Sequence, residues 1–147
     1  MSGQVLLDSN VLLAALFEDD QDHDRGFEIV DGIDRGELPE GLVLSYALPE
    51  VLHPVQQSHG FERARDVLRR FEQSPRFHIE WLPKAQFQAS LGVWERSAGA
   101  NGAEFVDTAI VQFMRSNDIE YVYSFDDDFD EFDGITRLNT AVDPFEP

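Results

Sequence analysis

Four acidic side chains stand at positions where a carboxylate could serve catalysis or metal binding. They are Asp8, Glu50, Asp107 and Asp126. Asp8 directly follows the apolar residues 5–7, and Asp126 directly follows the mostly apolar run of residues 121–125. A carboxylate at the end of a buried strand costs free energy to bury, so it is expected to face a cleft, a metal ion or a hydrogen-bond donor. The alternative for Asp8 is that it, or Ser9, caps the helix that follows.

A parallel sheet would bring these acids together, because the carboxyl ends of parallel strands meet at one edge, where ligands bind. Four carboxylates in one small cleft cannot all stay ionised without a compensating positive charge. Hard divalent cations such as Mg²⁺ and Mn²⁺ take oxygen ligands and supply that charge. Metal ions also make bound water a better nucleophile and can clamp the attacking and leaving oxygens of a phosphodiester. The four acids therefore indicate metal-assisted hydrolysis.

The elements that would position the acids follow from the spacing of apolar residues. Short apolar runs bounded by turn residues predict strands, and apolar residues three or four apart predict helices. Strands are predicted at residues 5–8, 41–45, 77–82, 121–125 and 135–138, with helices between them. This alternation predicts a three-layer α/β/α fold with a central, mostly parallel sheet of four to five strands.

Local features add three expectations. Residues 98–102 are rich in Ala and Gly and predict a loop, and Pro54 predicts a kink in the helix that carries Glu50. The length of 147 residues predicts one domain, residues 1–147, with a loose tail from about residue 140.

The chain is strongly acidic. Asp and Glu number 29 against 11 Lys and Arg, which gives a net charge of −18, and Lys84 is the only lysine. Because 42% of the residues are hydrophobic, this is not the composition of a disordered acidic chain. An acidic, lysine-poor surface on a folded core indicates adaptation to a salt-rich cytoplasm, as in a halophile, where salt screens repulsion between carboxylates. The charge also argues against nucleic-acid binding, although this argument weakens at molar salt.

Two absences from the sequence narrow the class of protein. There is no cysteine, which excludes a disulfide framework and a thiolate metal site. No segment approaches the roughly 20 apolar residues that a membrane-spanning helix needs, and the N-terminus does not resemble an export signal. A cytoplasmic protein without a membrane partner is expected.

Four segments around the acids resemble the acidic motifs of PIN-domain ribonucleases and follow that family's order. They are Leu-Asp-Ser-Asn-Val-Leu at residues 7–12, Leu-Pro-Glu-Val-Leu at 48–52, Phe-Val-Asp-Thr-Ala-Ile at 105–110 and Ser-Phe-Asp-Asp-Asp-Phe-Asp at 124–130. Within the family, the similarity is greatest to the toxins of VapBC-type toxin–antitoxin pairs. The resemblance implies a compact domain with a central parallel sheet and RNA cleavage that depends on Mg²⁺ or Mn²⁺. It also implies a homodimer and an antitoxin protein as partner.

The resemblance further implies roles for individual residues. Catalysis and metal binding are implied for Asp8, Glu50, Asp107 and Asp126. Polar residues that support the site are implied at Ser9, Asn10 and Ser124. The fourth acidic position stays open, since Asp128 also falls where some members of the family place a metal-binding acid.

Two other functions are compatible with an acid after the first strand. A haloacid-dehalogenase-like phosphatase has a nucleophilic Asp there and a second Asp two residues on, but Asn10 occupies that second position and cannot transfer a proton. A catalytically inactive PIN-like module would only bind RNA or a partner protein. The presence of all four acids favours the enzyme.

Overall fold

The computed structural model describes residues 3–101 and 104–146, with the backbone alone for residues 97–101. Its strands are β1 (Gln4–Leu7), β2 (Glu40–Leu44), β3 (Phe77–Glu80), β4 (Tyr121–Tyr123) and β5 (Thr136–Leu138). Its helices are α1 (Ser9–Leu16), α2 (His23–Asp34), α3 (Ala47–His59), α4 (Phe61–Gln73), α5 (Lys84–Asn101) and α6 (Phe105–Ser116). A short 3₁₀ helix, Asp127–Glu131, follows β4 and is called the 3₁₀ turn below.

The strands form a single sheet in the order β3-β2-β1-β4-β5, and every neighbouring pair is parallel. This confirms the prediction of a three-layer α/β/α fold around a mostly parallel sheet. The chain adds β2 and β3 on one side of β1 and then returns to add β4 and β5 on the other. The strand order therefore reverses between β1 and β4, and the crevice at such a reversal is where open α/β sheets bind ligands.

The hydrophobic core lies on both faces of the sheet, and β1 contributes to both. Val5 and Leu7 pack on one face with residues from α1 to α4, whereas Leu6 packs on the other face with residues from α6. Successive side chains of a strand point to opposite faces, so a strand covered by helices on both sides is apolar throughout. This explains why residues 5–7 form an unbroken apolar run and why the first polar residue falls at the strand's end.

Helix α5 and strand β3 end at residues other than those expected from the sequence. Helix α5 continues to Asn101, so the loop predicted for residues 98–102 is wrong as far as the described residues extend; Gly102 lies outside them. Alanine has the highest helix propensity, and Ala98 and Ala100 offset the cost of about 1 kcal/mol for a helical Gly99. Strand β3 ends at Glu80, before Pro83, and leaves Trp81 73% exposed. The strand cannot continue through Pro83, because proline has no N–H to pair with β2 and limits the backbone conformation of the residue before it.

Helix α3 runs through Pro54 without a break and ends at Gly60. Gly60 has φ +90°, a left-handed conformation that favours glycine, and it lets α4 begin at once in a new direction. The C-terminal segment, expected to be loose, contacts the rest of the protein at two places. The Tyr123 hydroxyl donates a hydrogen bond to the Val142 carbonyl, and the ring of Phe145 packs edge-on against Tyr121.

None of the helices in the described ranges combines the length and the apolar character that crossing a bilayer requires.

Candidate active site

Asp8 lies at the carboxyl end of β1, and its position is fixed by the neighbouring strand. Its backbone N–H donates to the carbonyl of Tyr123 in β4 over 3.0 Å. The residue occupies the N-cap position of α1, yet its side chain makes no capping hydrogen bond. The carboxylate instead accepts a 2.7 Å hydrogen bond at Oδ2 from the Ser124 hydroxyl. The side chain of Asp8 therefore faces the end of β4, and the simple capping interpretation is wrong.

Ser124 connects the ends of β1 and β4. Its fully buried hydroxyl donates to Asp8 and accepts hydrogen bonds from the backbone N–H of Asp126 at 3.0 Å and from Nδ2 of Asn10 at 3.4 Å. Asn10 Oδ1 in turn accepts the N–H of Phe125 at 3.3 Å. The residues implied as supporting ones therefore hold the start of the 3₁₀ turn against the start of α1.

Ser9 lies between two of the acids. Its hydroxyl acts as a hydrogen-bond donor that lowers the pKa of both Asp8 and Glu50, and its single proton serves one carboxylate at a time. Burial nevertheless raises the pKa of Asp8 above its ordinary value, against the lowering effect of the Ser124 hydrogen bond. The polar residues around Asp8 thus compensate only part of the cost of keeping its charge away from water.

Asp107 is the most perturbed acid of the group. It lies in the first turn of α6 with only 6% of its surface exposed. Its Oδ2 atom is buried and has no hydrogen-bond partner within the described residues. Burial, followed by the charges of Asp8 and Asp126, raises its pKa to about 7. A carboxylate oxygen buried without a donor is expensive, and a cation is one of the few partners that would satisfy it.

Two acids from the segment after β4 approach Asp107. Carboxylate oxygens of Asp107, Asp126 and Asp128 all lie within 4.8 Å of one another. Asp126 also caps the 3₁₀ turn by accepting the N–H of Asp128 at 3.0 Å. Repulsion by Asp126 is the main cause of the raised pKa of Asp128. Both candidates for the fourth acidic position are therefore brought to the cluster, and the hydrogen bond from the Asp128 N–H to the Asp126 carboxylate keeps the two residues close.

Glu50 lies at the exposed edge of the group of acids. It lies in the first turn of α3, is exposed, and does not join the group of three carboxylates. Its pKa is raised, first by reduced contact with water and then by the charge of Asp8. The structure therefore brings Glu50 within electrostatic reach of Asp8.

The sequence interpretation missed one acid. Glu104 is the N-cap residue of α6, and its charge contributes to the raised pKa values of Glu50, Asp107 and Asp128. The signal that could have revealed it is its spacing, because residues three apart on a helix lie on the same face and Asp107 is three residues on.

Arg137 of β5 fixes the 3₁₀ turn. Its guanidinium donates to both carboxylate oxygens of Asp130 at 3.0 Å, and its Nη1 donates to the carbonyl of Ser124 at 3.4 Å. The two-pronged contact is a geometrically demanding one, and Arg137 is only 16% exposed. Arg137 therefore ties the far end of the turn to β4, the strand that precedes the metal-binding candidates.

The donor set suits a hard divalent cation. Three carboxylates converge, and one of their oxygens has no donor among the residues that the structure describes. The pKa values of Asp8, Asp107 and Asp128 are all raised. Oxygen-only ligands favour Mg²⁺ or Mn²⁺ over softer metals. The cluster could therefore hold such an ion at Asp107, Asp126 and Asp128, with Asp8 beside them.

Comparison with solved structures shows several toxins with this fold. VapC20 of Mycobacterium tuberculosis, described as a sarcin–ricin loop cleaving toxin, is 18% identical with a TM-score of 0.71 over 86% of this chain and 92% of that one. A toxin–antitoxin complex from Klebsiella pneumoniae is 16% identical with a TM-score of 0.61, covering 95% and 98% of the two chains. VapBC2 of Rickettsia felis, bound to promoter DNA, is 14% identical with a TM-score of 0.68 over 92% and 98%.

No curated protein sequence matches the chain significantly. The family model of the PIN domain, by contrast, matches residues 5–135. That range contains every acid that meets at the carboxyl edge of the sheet, and it extends over most of the sequence. The chain belongs to the PIN domain family.

Proposed function

We propose that this protein is a metal-dependent endoribonuclease that hydrolyses RNA phosphodiester bonds, with Mg²⁺ or Mn²⁺ as cofactor. The observation that supports this most is the buried Oδ2 of Asp107, which lacks a donor among the described residues and adjoins Asp126 and Asp128. Asp8, Glu50, Asp107 and Asp126 are the proposed catalytic acids, and Asp128 is a further metal-ligand candidate. Ser9, Asn10 and Ser124 are the proposed supporting residues.

The proposed mechanism assigns separate tasks to the side chains. Asp107, Asp126 and Asp128 would hold the cation, which when bound supplies an activated water and neutralises charge on the phosphate. Ser124 keeps Asp8 oriented through the 2.7 Å hydrogen bond and keeps the 3₁₀ turn in place through the N–H of Asp126. Glu50 and Glu104, at the rim, lie where they can accept a proton from water that enters the site.

We further propose that the nuclease is the toxin of a toxin–antitoxin pair, cytoplasmic and homodimeric, with a cognate antitoxin protein as its partner. The support is the family membership together with the likeness to VapC20, to the Klebsiella pneumoniae complex and to VapBC2. The gene beside this one tests the pairing, since a small antitoxin gene next to it is expected. Growth arrest on expression of the wild-type protein, relieved by coexpression of that gene, would establish the pair.

The phosphatase alternative is disfavoured by the place of Asn10. Its amide contacts the Ser124 hydroxyl and the Phe125 N–H, so it serves as a structural bridge and provides no acid for phosphoryl transfer.

The test of the nuclease proposal is cleavage of structured RNA in high KCl with Mg²⁺ or Mn²⁺, against an EDTA control. Asp107→Asn, which keeps the size of the side chain, should fold and should not cleave. Cleavage that is equal with and without metal would contradict the proposed chemistry. Metal binding without cleavage would instead indicate an inactive RNA-binding or protein-binding module.

A further inference from the structure

Four aromatic rings pack together around the starts of α3 and α6. Tyr46 precedes α3, Phe105 begins α6, and Phe87 and Trp94 lie on α5. We call these four residues the aromatic patch. The ring centroids of Phe87 and Phe105 are 5.5 Å apart, those of Tyr46 and Phe87 5.8 Å, and Phe105 lies 6.3 Å from both Tyr46 and Trp94. The patch therefore joins three elements, two of which also carry acids of the site.

The aromatic patch and the acids share the starts of α3 and α6. Tyr46 precedes Glu50 by four residues, so the two lie one helical turn apart at the start of α3. Phe105 directly follows Glu104, whose charge acts on both Glu50 and Asp107. A molecule that contacts the patch would therefore have an adjoining segment within reach of the cluster.

The rings are accessible at the surface. Trp94 is 38% exposed, and Tyr46, Phe87 and Phe105 are each partly exposed. The tilted and edge-on packing of the rings leaves ring surface that does not face another ring. Large aromatic side chains that remain open to solvent beside a polar site are typical of ligand-binding surfaces.

The charge around the patch restricts its ligand. Nucleic-acid binding usually depends on Lys and Arg that neutralise phosphates, whereas this chain carries −18 and a single lysine. Glu50 and Glu104 at the border of the patch repel phosphate. A nucleobase is uncharged and offers a flat π-face, so it can be bound by aromatic rings at high salt, where electrostatic attraction is screened.

We propose that the aromatic patch stacks an unpaired nucleobase of a single-stranded RNA segment adjoining the phosphate to be cleaved. The proposal rests on the ribonuclease function proposed above and assigns a base-binding role to rings that the proposed catalysis does not use. Stacking on aromatic side chains accepts any base, so it would position the strand without selecting a sequence.

The test uses the fluorescence of Trp94, because the chain contains two tryptophans and Trp81 can be replaced. In a Trp81→Phe protein, a short single-stranded oligoribonucleotide should quench the emission of Trp94 in high KCl with EDTA present to prevent cleavage. An oligomer of the same length with abasic sugars should not. Equal quenching by the two oligomers would overturn the proposal.

Substitution of Trp94 supplies the second measurement. Trp94→Leu, which keeps apolar bulk without a π-face, should raise the Kd for the oligoribonucleotide roughly 5- to 150-fold, and Trp94→Phe should recover most of the affinity. Trp81→Leu is the matched control, since Trp81 is exposed and lies outside the patch. Both leucine variants are first checked for an unchanged melting temperature, and Trp94→Phe is used alone if Trp94→Leu unfolds.

The outcomes separate this inference from the nuclease proposal. If wild type cleaves RNA while Trp94→Leu and Trp81→Leu show equal Kd values, stacking is wrong and the nuclease proposal stands. If bases bind at Trp94 and no RNA is cleaved, the nuclease proposal is wrong and base binding stands. If Trp94→Leu binds RNA normally but changes the sedimentation of the protein, the patch is an interface between copies of the chain and the inference is overturned.

Discussion

The buried Oδ2 of Asp107 is the atom at which the charge conflict in this site is greatest. It has no donor within the described residues, and carboxylates surround it. Asp8, Glu104, Asp126 and Asp128 approach it from three different segments of the chain. Such an arrangement lowers the stability of the metal-free protein, because each ionised acid raises the cost of ionising the next. Function and stability are therefore opposed at this residue until a cation is bound.

The pH dependence of stability should show this opposition. The pKa of Asp107 is raised to about 7 in the folded protein. Its stabilising contribution is therefore complete below the unfolded pKa near 4 and is lost as the pH rises through about 7. Metal-free wild type should lose about 2–4 kcal/mol between pH 4 and pH 8 relative to Asp107→Asn. Urea unfolding at several pH values measures the free energy of unfolding of both proteins. If that free energy changed with pH equally in wild type and Asp107→Asn, the raised pKa of Asp107 would be contradicted.

A second residue-scale prediction concerns the buried hydroxyl of Ser124. Ser124→Ala removes the donor to Asp8 and leaves the N–H of Asp126 without its acceptor. Loss of a hydrogen bond to a buried charged group should cost about 1–3 kcal/mol of stability and raise the pKa of Asp8 further. RNA cleavage should fall at least about tenfold, as is typical when support for a metal-site residue is removed.

Ser90→Ala is the matched control for this variant. Ser90 is also fully buried, and its hydroxyl donates to the carbonyl of Gln86 within α5, so its removal breaks no hydrogen bond to an acid of the site. It should change stability without changing the rate of cleavage. Equal loss of cleavage in both variants would assign Ser124 a role in folding only.

At the scale of elements, the sheet could be predicted well from the sequence and the site only in part. Strand β1 was predictable because an apolar run that ends abruptly in Asp8 is typical of a buried strand that ends at a polar site. The choice between Asp126 and Asp128 was not predictable, since three aspartates follow one another and only the geometry of the 3₁₀ turn decides which of them lie near Asp107. Glu104 was missed because its influence on three acids arises only when the fold brings α3, α6 and the 3₁₀ turn together.

The 3₁₀ turn is the element whose position matters most for metal binding. It carries Asp128 and is held at its far end by the ion pair of Asp130 with Arg137. Arg137→Gln should leave the fold intact, loosen the turn and weaken Mn²⁺ binding about tenfold or more. Calorimetric titration with Mn²⁺ measures this, and Arg137→Lys should restore only part of the affinity because one ammonium cannot reproduce the two-pronged contact.

Arg35→Gln is the control for the loss of an arginine. Arg35 pairs with Asp31 and Glu37 on the surface with 62% of its side chain exposed, so its substitution removes the same charge far from the turn. A Kd for Mn²⁺ that is unchanged in Arg137→Gln relative to Arg35→Gln would show that the turn keeps its position without Arg137.

For the whole molecule, two kinds of repulsion must be distinguished. The net charge of −18 is spread over the surface, where salt screens it with a Debye length of about 3 Å at 1 M. The carboxylate cluster is partly buried, and salt reaches it poorly. KCl should therefore raise the melting temperature by relieving surface repulsion, as the proposed adaptation to a salt-rich cytoplasm requires, while leaving the cluster's repulsion largely in place.

A divalent cation should relieve the repulsion within the carboxylate cluster that KCl leaves in place. At saturating KCl, an excess of Mn²⁺ of a hundredfold over its Kd stabilises the native state by about 2.7 kcal/mol, a rise in melting temperature on the order of 5–10 °C. The melting temperature of Asp107→Asn should rise much less with Mn²⁺, since this variant lacks one carboxylate of the cluster. Asp24→Asn, an exposed acid on α2, removes the same formal charge and should gain as much as wild type.

Thermal scans over Mn²⁺ at fixed high KCl make this comparison. Asp107→Asn and Asp24→Asn each remove one carboxylate, but at different places. Any relief of the general surface repulsion is therefore the same in both variants, and the difference between them reports the site of Mn²⁺ binding. A gain confined to wild type and Asp24→Asn would place the ion at the cluster. Equal gains in all three proteins, or a smaller gain in Asp24→Asn than in Asp107→Asn, would mean that Mn²⁺ binds elsewhere, in the second case at the acidic residues 18–24. Either result would remove the physical basis of the nuclease proposal, while the family assignment would stand.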